Sequence, residues 1–500
     1  MTIRLFCVAT SKSDTPIIAQ MQQIAGEDLT IALQLGGTDA AFKGTSLSRM
    51  NRKRGTVGHL MDHDRYRGAA QALFRQPRYL QAMEEFITHL ERRNENNDLR
   101  PHRIHAMQEY SDYFHILADA MAAKIRESGA THALFFNVPH LAYDSIAFQV
   151  ARAMGLPTLV LTQSLFPAQY FSMGDPADLG AFAPRDDAPR YPIDKQAQLD
   201  LFYMKDVKQE PSPRGRVSAR AMLNLAAFLI TRRPRAALNP AYLRRILLRM
   251  QAIYGGLPNW RDPFAKFFHD SQLDYFDHLV EHETAPVDLS TPYVYMPLQL
   301  QPEMTTASLG GIYTDQALAI ERLADMLPEG VRILVKENPK QGAYMRGPMF
   351  FHRLKRIPQV HFLPSFADTH ALTANAQFVA TVTGTVGWEA VRLGKPVLTF
   401  GRAWYRSFPG VVEYRDGLEY AEVAQLTWEH AALERAVGDL LSRCHGGIIE
   451  RHYRKMVADH DPEENAAQVA RSILDLLSGR AVPTFGSMGV QGSSDAPGAL

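Results

Sequence analysis

The sequence predicts an α/β protein with two domains, each built around a parallel sheet. A chain of 500 residues is long enough for two to four domains, and a two-domain enzyme fits that length. In both halves, short apolar strands alternate with helical patterns and polar loops, as in parallel sheets. The stretch Val379–Phe400 shows this pattern most compactly, because a strand, a Gly/Thr turn, a helix and a second strand follow one another directly.

Composition excludes several classes of protein. Lys and Arg number 54 against 53 Asp and Glu, so no global basic field predicts a nucleic-acid partner. Cys7 and Cys444 are the two cysteines, and no CxxC is present, which excludes a disulfide framework or thiolate zinc site. The apolar start of the chain is too short for a signal peptide, and no apolar run is long enough to span a membrane. We therefore expect a cytoplasmic protein.

The first half opens on a β-α-β unit, followed by two helical stretches and a second strand-helix-strand unit. The predicted strands are Ile3–Ala9, Leu29–Leu35, Ala133–Phe136 and Pro157–Thr162. The predicted helices lie around Ile17–Ile24, Asp62–Arg93, Met107–Glu127 and Tyr143–Met154.

A polar loop, Asn137–His140, follows the third of these strands. Open α/β sheets bind their ligands at the carboxyl ends of strands, so His140 and Asp144 are candidate catalytic residues. Asp144 would serve as nucleophile or base, and His140 as proton carrier or positioning donor. The alternative is that Asp144 only favours the helix N-terminus and that His140 is a partly buried turn residue.

Residues from about 168 to 260 form a proline-rich and then basic segment. Eleven Lys and Arg occur between Lys205 and Arg249, around the apolar run MLNLAAFLI. Such a helix is a candidate peripheral anchor on an anionic membrane, or a cradle for a phosphorylated acceptor. A buried helix with solvated basic ends is the other interpretation.

In the second half, three polar loops follow strands of one predicted sheet. They are QPE at 301–303, KENPK at 336–340 and TGT at 383–385. Parallel topology brings all three to one edge. Lys336, Lys340, the Asn338 amide and the N–H groups at the start of the following helix would hold a phosphate.

The alternative for TGT is an ordinary capped βαβ unit, since neither a P-loop nor a GxGxxG motif is present. Glu389, one turn into the helix, would accept from ribose hydroxyls, or else pair with Arg392. Glu303 would be a sugar contact or a general acid or base, or else a structural ion-pair partner.

These residues carry a resemblance. The segments LVKENPKQ at 334–341, TVTGTVGWEAVRLGKPVLTFGRAWYRSFPGV at 381–411 and QPE resemble bacterial capsule polysaccharide biosynthesis glycosyltransferases, which are similar to Kdo transferases. The match covers about residues 290–412, and FNVPHLAYDSIAFQVARAMGLP at 136–157 is similar in layout.

The resemblance implies a GT-B fold, in which two Rossmann-like domains face a central cleft. Residues 1–285 would be the acceptor domain with an insertion at about 168–260, and residues 286–480 the nucleotide-sugar domain, whose final helix crosses back. Composition predicts a disordered tail at 481–500. The donor-binding residues would be Gln301, Lys336, Glu337, Asn338, Pro339, Lys340, Thr383, Gly384, Thr385 and Glu389.

The implied activity is metal-independent transfer of a sugar from a nucleotide donor, such as Kdo from CMP-Kdo, to a glycan or lipid-linked acceptor. No cofactor is expected, and Asp186-Asp187 in its proline-rich loop is a poor metal site. Related transferases have a His-Pro pair where this chain has Asn338-Pro339, and an Asn carries neither proton nor charge. A nucleotide-sugar 2-epimerase and a non-catalytic polysaccharide-binding or export factor are the alternatives.

Overall fold

The structure is a computed structural model. It describes residues 2–9, 14–36, 66–77, 79–95, 107–195, 234–244, 284–341 and 346–488, together with the single positions 223, 226, 227, 230, 231 and 280.

The first sheet, called here the N-terminal sheet, has six strands in the order β12-β5-β4-β3-β1-β2. Strands β1 to β4 are mutually parallel, whereas β5 near one edge runs antiparallel to both of its neighbours, β4 and β12. Its strands are β1 Ile3–Ala9, β2 Leu29–Gly36, β3 His132–Phe135, β4 Thr158–Gln163, β5 Gln169–Met173 and β12 His445–Gly446.

The second sheet, called here the C-terminal sheet, is parallel throughout and has the order β11-β10-β9-β6-β7-β8. Counted from its first strand, this is the 3-2-1-4-5-6 order of a Rossmann domain. Its strands are β6 Tyr293–Pro297, β7 Arg332–Lys336, β8 Val360–Leu363, β9 Val379–Thr381, β10 Val397–Thr399 and β11 Val411–Glu413.

Helices connect the strands of both sheets. In the first half they are α1 Asp14–Ala25, α2 Gln71–Phe74, α3 Tyr79–Glu95, α4 Met107–Ser128, α5 Tyr143–Ala153 and α6 Pro234–Ala237. In the second half they are α7 Gln316–Met326, α8 Pro348–Lys355, α9 Thr369–Asn375, α10 Thr385–Arg392, α11 Tyr420–Ala424, α12 His430–Arg443 and α13 Pro462–Leu477. Shorter helical turns lie at Pro176–Asp178, Met304–Ser308 and Arg451–Met456.

The last helix, α13, packs on the first domain. Asp461 caps it by accepting from the N–H groups of Glu463 (2.8 Å) and Glu464 (3.3 Å), and Pro462 starts the first turn. Its apolar stripe is buried with residues of α1 and the N-terminal sheet, including Ile17, Leu134, Val469 and Ile473. The chain therefore returns from the C-terminal sheet to the N-terminal one.

Two predicted segments, the insertion and the C-terminal tail, differ in the structure. The insertion predicted from about 168 cannot begin there, because Gln169–Met173 is strand β5 of the N-terminal sheet. Thr484 and Phe485, assigned to a disordered tail, are 2% and 1% exposed, and the Phe485 N–H donates to Ser172 O (3.1 Å). Residues 489–500 of that tail lie outside the described residues.

The predicted boundary at 285 falls within a segment already attached to the second domain. The Ala285 N–H donates to Phe362 O on β8 (2.7 Å), and Val280 belongs to the apolar core of the C-terminal sheet. The stretch 445–460 contains the two-residue strand β12 and the 451–456 turn.

Most of the basic segment at 205–249 lies outside the described residues. In its described part, Leu223, Ile230 and Leu238 are 70%, 68% and 85% exposed. Within the described chain, no helix combines the length and apolar character needed to cross a bilayer.

Candidate functional site

Both sheets have a topological switch point, which is where open α/β sheets form their ligand crevices. In the N-terminal sheet it lies between β1 and β3, whose carboxyl ends lead to Asp14 and to the 137–140 loop. In the C-terminal sheet it lies between β6 and β9, which lead to the QPE and TGT loops. The two crevices meet, since Ser308 Oγ beyond β6 donates to Pro139 O beyond β3 (2.6 Å).

The three predicted loops of the C-terminal sheet are joined by direct hydrogen bonds. Gln299 Oε1 accepts from the Thr383 N–H (2.9 Å), which links the loop after β6 to TGT. Gln341 Oε1 accepts from the Gln301 N–H (2.8 Å), and Gln341 Nε2 donates to Gln301 O (2.8 Å), which links the same loop to KENPK. The convergence predicted from topology is therefore present in the structure.

The QPE loop is held from inside the domain. The Gln301 side chain donates to Thr314 O (2.6 Å), accepts from Gln316 Nε2 (3.0 Å) and is 8% exposed. Glu303 accepts from the N–H (2.9 Å) and the hydroxyl of Thr305, and so caps the 304–308 turn. Gln301 and Glu303 thus shape the loop, and Glu303 remains half-buried at the crevice.

Sequence reasoning missed Arg346, whose guanidinium lies among these loops. Its side chain is 0% exposed, it is ion-paired with Glu337 (2% exposed), and it donates to Gln299 O. Glu337 also accepts from the Asn338 N–H (2.7 Å). This places Glu337 in the interior, as a structural partner of Arg346, with the loops after β6 and β7 bound to the same ion pair. Arg346 stands well after the strand, where no sequence motif marks it.

The remainder of KENPK is nearer the surface. Asn338 Oδ1 accepts from the Lys340 N–H (3.0 Å), forming a tight turn after the strand. Asn338 and Pro339 are half-buried and Lys340 is exposed. An amide and a cation are therefore presented at this edge.

In the TGT turn, the N–H and the hydroxyl of Thr383 both donate hydrogen bonds within the protein. Its hydroxyl donates to Thr305 O (2.6 Å), in addition to the N–H bond to Gln299. Gly384 allows this close approach, because a Cβ there would lie 2.8 Å from Thr381 Oγ1 and 2.9 Å from Gln299 Nε2. Helix α10 begins at Thr385, so the positive end of its dipole lies at this residue, at the crevice.

Lys336 and Glu389 lie close together behind this edge. Lys336 Nζ donates to Ala367 O (3.0 Å) and Thr369 Oγ1 (2.7 Å), and burial lowers the Lys336 pKa to about 8. Burial raises the pKa of Glu389, and the nearby His370, Arg392 and Lys336 act in the opposite direction. A cation and a carboxyl group therefore lie within electrostatic reach of each other, one at the end of β7 and the other on α10.

Asp144 has the structural role that the sequence left as the alternative. Its carboxylate is 1% exposed and accepts from the N–H groups of His140 (3.1 Å), Leu141 (2.6 Å) and Ser145 (2.8 Å). It thereby holds the tight turn at Ala142, whose φ is 71° and which precedes α5. An acceptor so occupied and buried is poorly placed to attack a substrate, so the preference for Asp144 as nucleophile or base is not supported.

His140 is half-buried and remains at the crevice. Its Nδ1 lies 2.7 Å from Val138 O. Because a carbonyl only accepts, Nδ1 carries the proton, and in the neutral ring Nε2 is the acceptor.

Glu450 is the second residue that sequence reasoning missed. Its Oε1 accepts from Asn137 Nδ2 (2.8 Å), and Gln163 Oε1 accepts from the N–H groups of Ile449 (2.8 Å) and Glu450 (3.2 Å). Burial raises its pKa; His140 and the Asn137 hydrogen bond oppose this shift, and the carboxylates Glu303 and Asp14 add to it. The C-terminal segment thus brings a carboxyl group into the N-terminal crevice.

A buried histidine joins the two domains. His89 (1% exposed) has Nδ1 2.9 Å from Ser145 Oγ and Nε2 3.3 Å from Ser308 Oγ. Ser308 gives its only hydroxyl proton to Pro139 O, so His89 Nε2 must be the donor to Ser308. Farther along the interface, Arg402 and Arg406 both donate to Ala177 O (3.1 and 2.9 Å).

Comparison with known proteins gives a family match in the second half of the chain. Residues 270–432 match the family described as "Capsule polysaccharide biosynthesis protein". Protein FixF of Sinorhizobium fredii is 31% identical over 124 residues, which are 24% of this chain and 29% of FixF. The chain therefore spans less than a third of that relative's length.

Solved structures are similar at low sequence identity. The KpsC beta Kdo 2,7 transferase of Thermosulfurimonas dismutans is 12% identical, with 80% of this chain and 97% of that one covered and a TM-score of 0.32. The UDP-GlcNAc 2-epimerase of Neisseria meningitidis, bound to UDP-GlcNAc, is 11% identical, with 96% and 100% covered and a TM-score of 0.23.

The chain combines two Rossmann-like sheets in a GT-B arrangement with a family match over the second of them. The resemblance to the capsule polysaccharide biosynthesis family is thus confirmed, over residues 270–432.

Proposed function

We propose that this chain is a glycosyltransferase of surface polysaccharide biosynthesis, which transfers a sugar from a nucleotide donor to a glycan or lipid-linked acceptor. The observation that carries the proposal is the meeting of two switch-point crevices, one lined by the QPE, KENPK and TGT loops and the other by His140 and Glu450. A donor with a charged phosphate fits the first crevice, and an acceptor hydroxyl fits the second.

On the donor side, the start of α10 at Thr385 and the cations Lys336 and Lys340 would neutralise the nucleotide phosphate. Asn338 would donate to a phosphate oxygen, and Glu389 would accept from the ribose. Kdo from CMP-Kdo is the first donor to examine, since the resemblance to Kdo transferases implies it. We propose that helix dipole and lysines suffice for the leaving group, with no metal ion.

The test is a donor screen of the purified protein against CMP-Kdo and UDP- and GDP-sugars, with and without a glycan acceptor. Nucleotide release and acceptor mass would both be measured, in the presence and absence of EDTA. We expect acceptor-dependent release with one nucleotide class, unchanged by EDTA. Conversion of donor to an isomer without acceptor would instead indicate a 2-epimerase. Glycan binding without nucleotide binding would indicate a non-catalytic factor.

We also propose peripheral contact with the inner face of the membrane through the basic segment. The described positions Leu223, Ile230 and Leu238 expose apolar side chains in a segment rich in arginine. Sedimentation with vesicles containing anionic lipid should capture the protein at low salt and release it at high salt. Equal binding to neutral vesicles would contradict this proposal.

A further inference from the structure

We propose that Glu450 is the catalytic base of the transfer, the group that takes the proton from the acceptor hydroxyl. This inference rests on the proposed function and adds a residue and a role to it. Among the described residues, four carboxylates lie around the place where the two crevices meet: Asp14, Asp144, Glu303 and Glu450.

Three of the four are poorly available to a substrate. Asp144 is 1% exposed and accepts from three backbone N–H groups. Asp14 is also 1% exposed, at the start of α1. Glu303 caps the 304–308 turn through Thr305. Each carboxylate is therefore either buried or engaged in holding a loop.

Glu450 differs from Asp14 and Asp144 because it is partly exposed, and from Glu303 because its side chain does not cap the helical turn that follows it. Asn137 Nδ2 holds Oε1 at 2.8 Å, and Gln163 holds the backbone N–H of Glu450 at 3.2 Å. Both partners lie at the carboxyl ends of parallel strands of the N-terminal sheet, since Asn137 follows β3 and Gln163 ends β4. The carboxyl group is thus oriented by rigid elements, as a base must be.

The position also agrees with the chemistry. In the transfer, the acceptor oxygen bonds to the anomeric carbon, the bond from that carbon to the donor phosphate oxygen breaks, and its electron pair leaves with the phosphate. The acceptor proton passes to the Glu450 carboxylate. A raised pKa makes Glu450 a stronger base than an ordinary glutamate, and His140 stabilises its charged form.

The test compares Glu450→Gln with wild type in acceptor-dependent transfer. Gln keeps an Oε1 that accepts from Asn137 but cannot take a proton. We expect kcat to fall by about 10²- to 10⁴-fold, as for loss of a general base. The nucleotide Kd, measured by calorimetry, should stay within about twofold, since the donor lies on the other sheet. Glu463→Gln, exposed in the first turn of α13, is the matched control and should keep full activity.

The pH profile separates a base from a structural residue. Wild-type kcat/KM should fall as pH drops through the raised pKa of Glu450, because the protonated form cannot accept. Because Asp14, Glu303 and His140 act electrostatically on Glu450, the profile is repeated for Asp14→Asn, Glu303→Gln and His140→Gln. We expect the acid limb to vanish only in Glu450→Gln, and added formate to restore turnover to Glu450→Ala.

The outcomes are distinct. If wild type transfers no sugar from any donor, the proposed function fails and the assignment fails with it. If wild type transfers sugar and Glu450→Gln retains more than about a third of its kcat, only the assignment of Glu450 fails. Loss of the acid limb in Asp14→Asn but not in Glu450→Gln would transfer the role to Asp14.

Discussion

Removing the Arg346 side chain should destabilise the second domain more than breaking an exposed ion pair would. The Arg346 and Glu337 side chains are 0% and 2% exposed, so Arg346→Met leaves a buried carboxylate without its cation and Gln299 O without its donor. Breaking such a pair from one side costs about 3–5 kcal/mol of the free energy of unfolding. For a domain of this size, that corresponds to a fall in Tm of about 6–20 °C.

The assay is thermal unfolding of Arg346→Met, Glu337→Met and the double variant. The double variant should recover most of the loss, because an apolar pair leaves no buried charge. Arg415→Met is the control, since Arg415 and Glu422 are 58% and 43% exposed and such pairs contribute about 0–1 kcal/mol. A Tm change for Arg346→Met no larger than that of Arg415→Met would refute the reasoning.

Three further predictions concern the crevices. Asp144→Asn should lower the free energy of unfolding by about 1–3 kcal/mol, because one of the backbone N–H groups that donate to Asp144 loses its acceptor. Turnover per folded molecule should change little. A large loss of kcat at unchanged stability would restore Asp144 as a catalytic candidate. Nucleotide affinity should weaken as pH rises through about 8, because Lys336 is charged only below its lowered pKa, and Lys336→Met should flatten this dependence in calorimetric titrations. Glu389→Gln should remove the preference for a ribonucleotide over its deoxy analogue, and a variant that still discriminates would exclude Glu389 from the ribose site.

The convergence of the three C-terminal loops was predictable because its signals are local. Each loop follows an apolar strand, and Gly384 or Pro339 marks the turn. Parallel topology then leaves one edge on which they can meet. Which of their side chains face a ligand was not predictable, since Thr383 and Gln301 are turned inward by partners at Gln299, Thr305 and Thr314.

Glu450 could not be found in the same way. Its placement depends on Asn137 and Gln163, about three hundred residues earlier in the chain, and on the pairing of β12 with β5. A two-residue strand has no periodicity to detect. Asp144 illustrates the opposite case, because an acidic residue at the start of a helix has the same sequence pattern whether it caps a turn or attacks a substrate.

The adjacency of β5 and β12 has a mechanical consequence. The chain leaves the N-terminal sheet after β5 and runs along α12 of the second domain, where Arg185 and Arg190 pair with Asp439 and Glu434. It returns directly from α12 into β12, beside the strand it left. The two crossings thus form a double-stranded hinge at one margin of the sheet. We expect the two domains to rotate about this hinge when the crevice opens. Glu450 would then move with the first domain and Glu303 with the second.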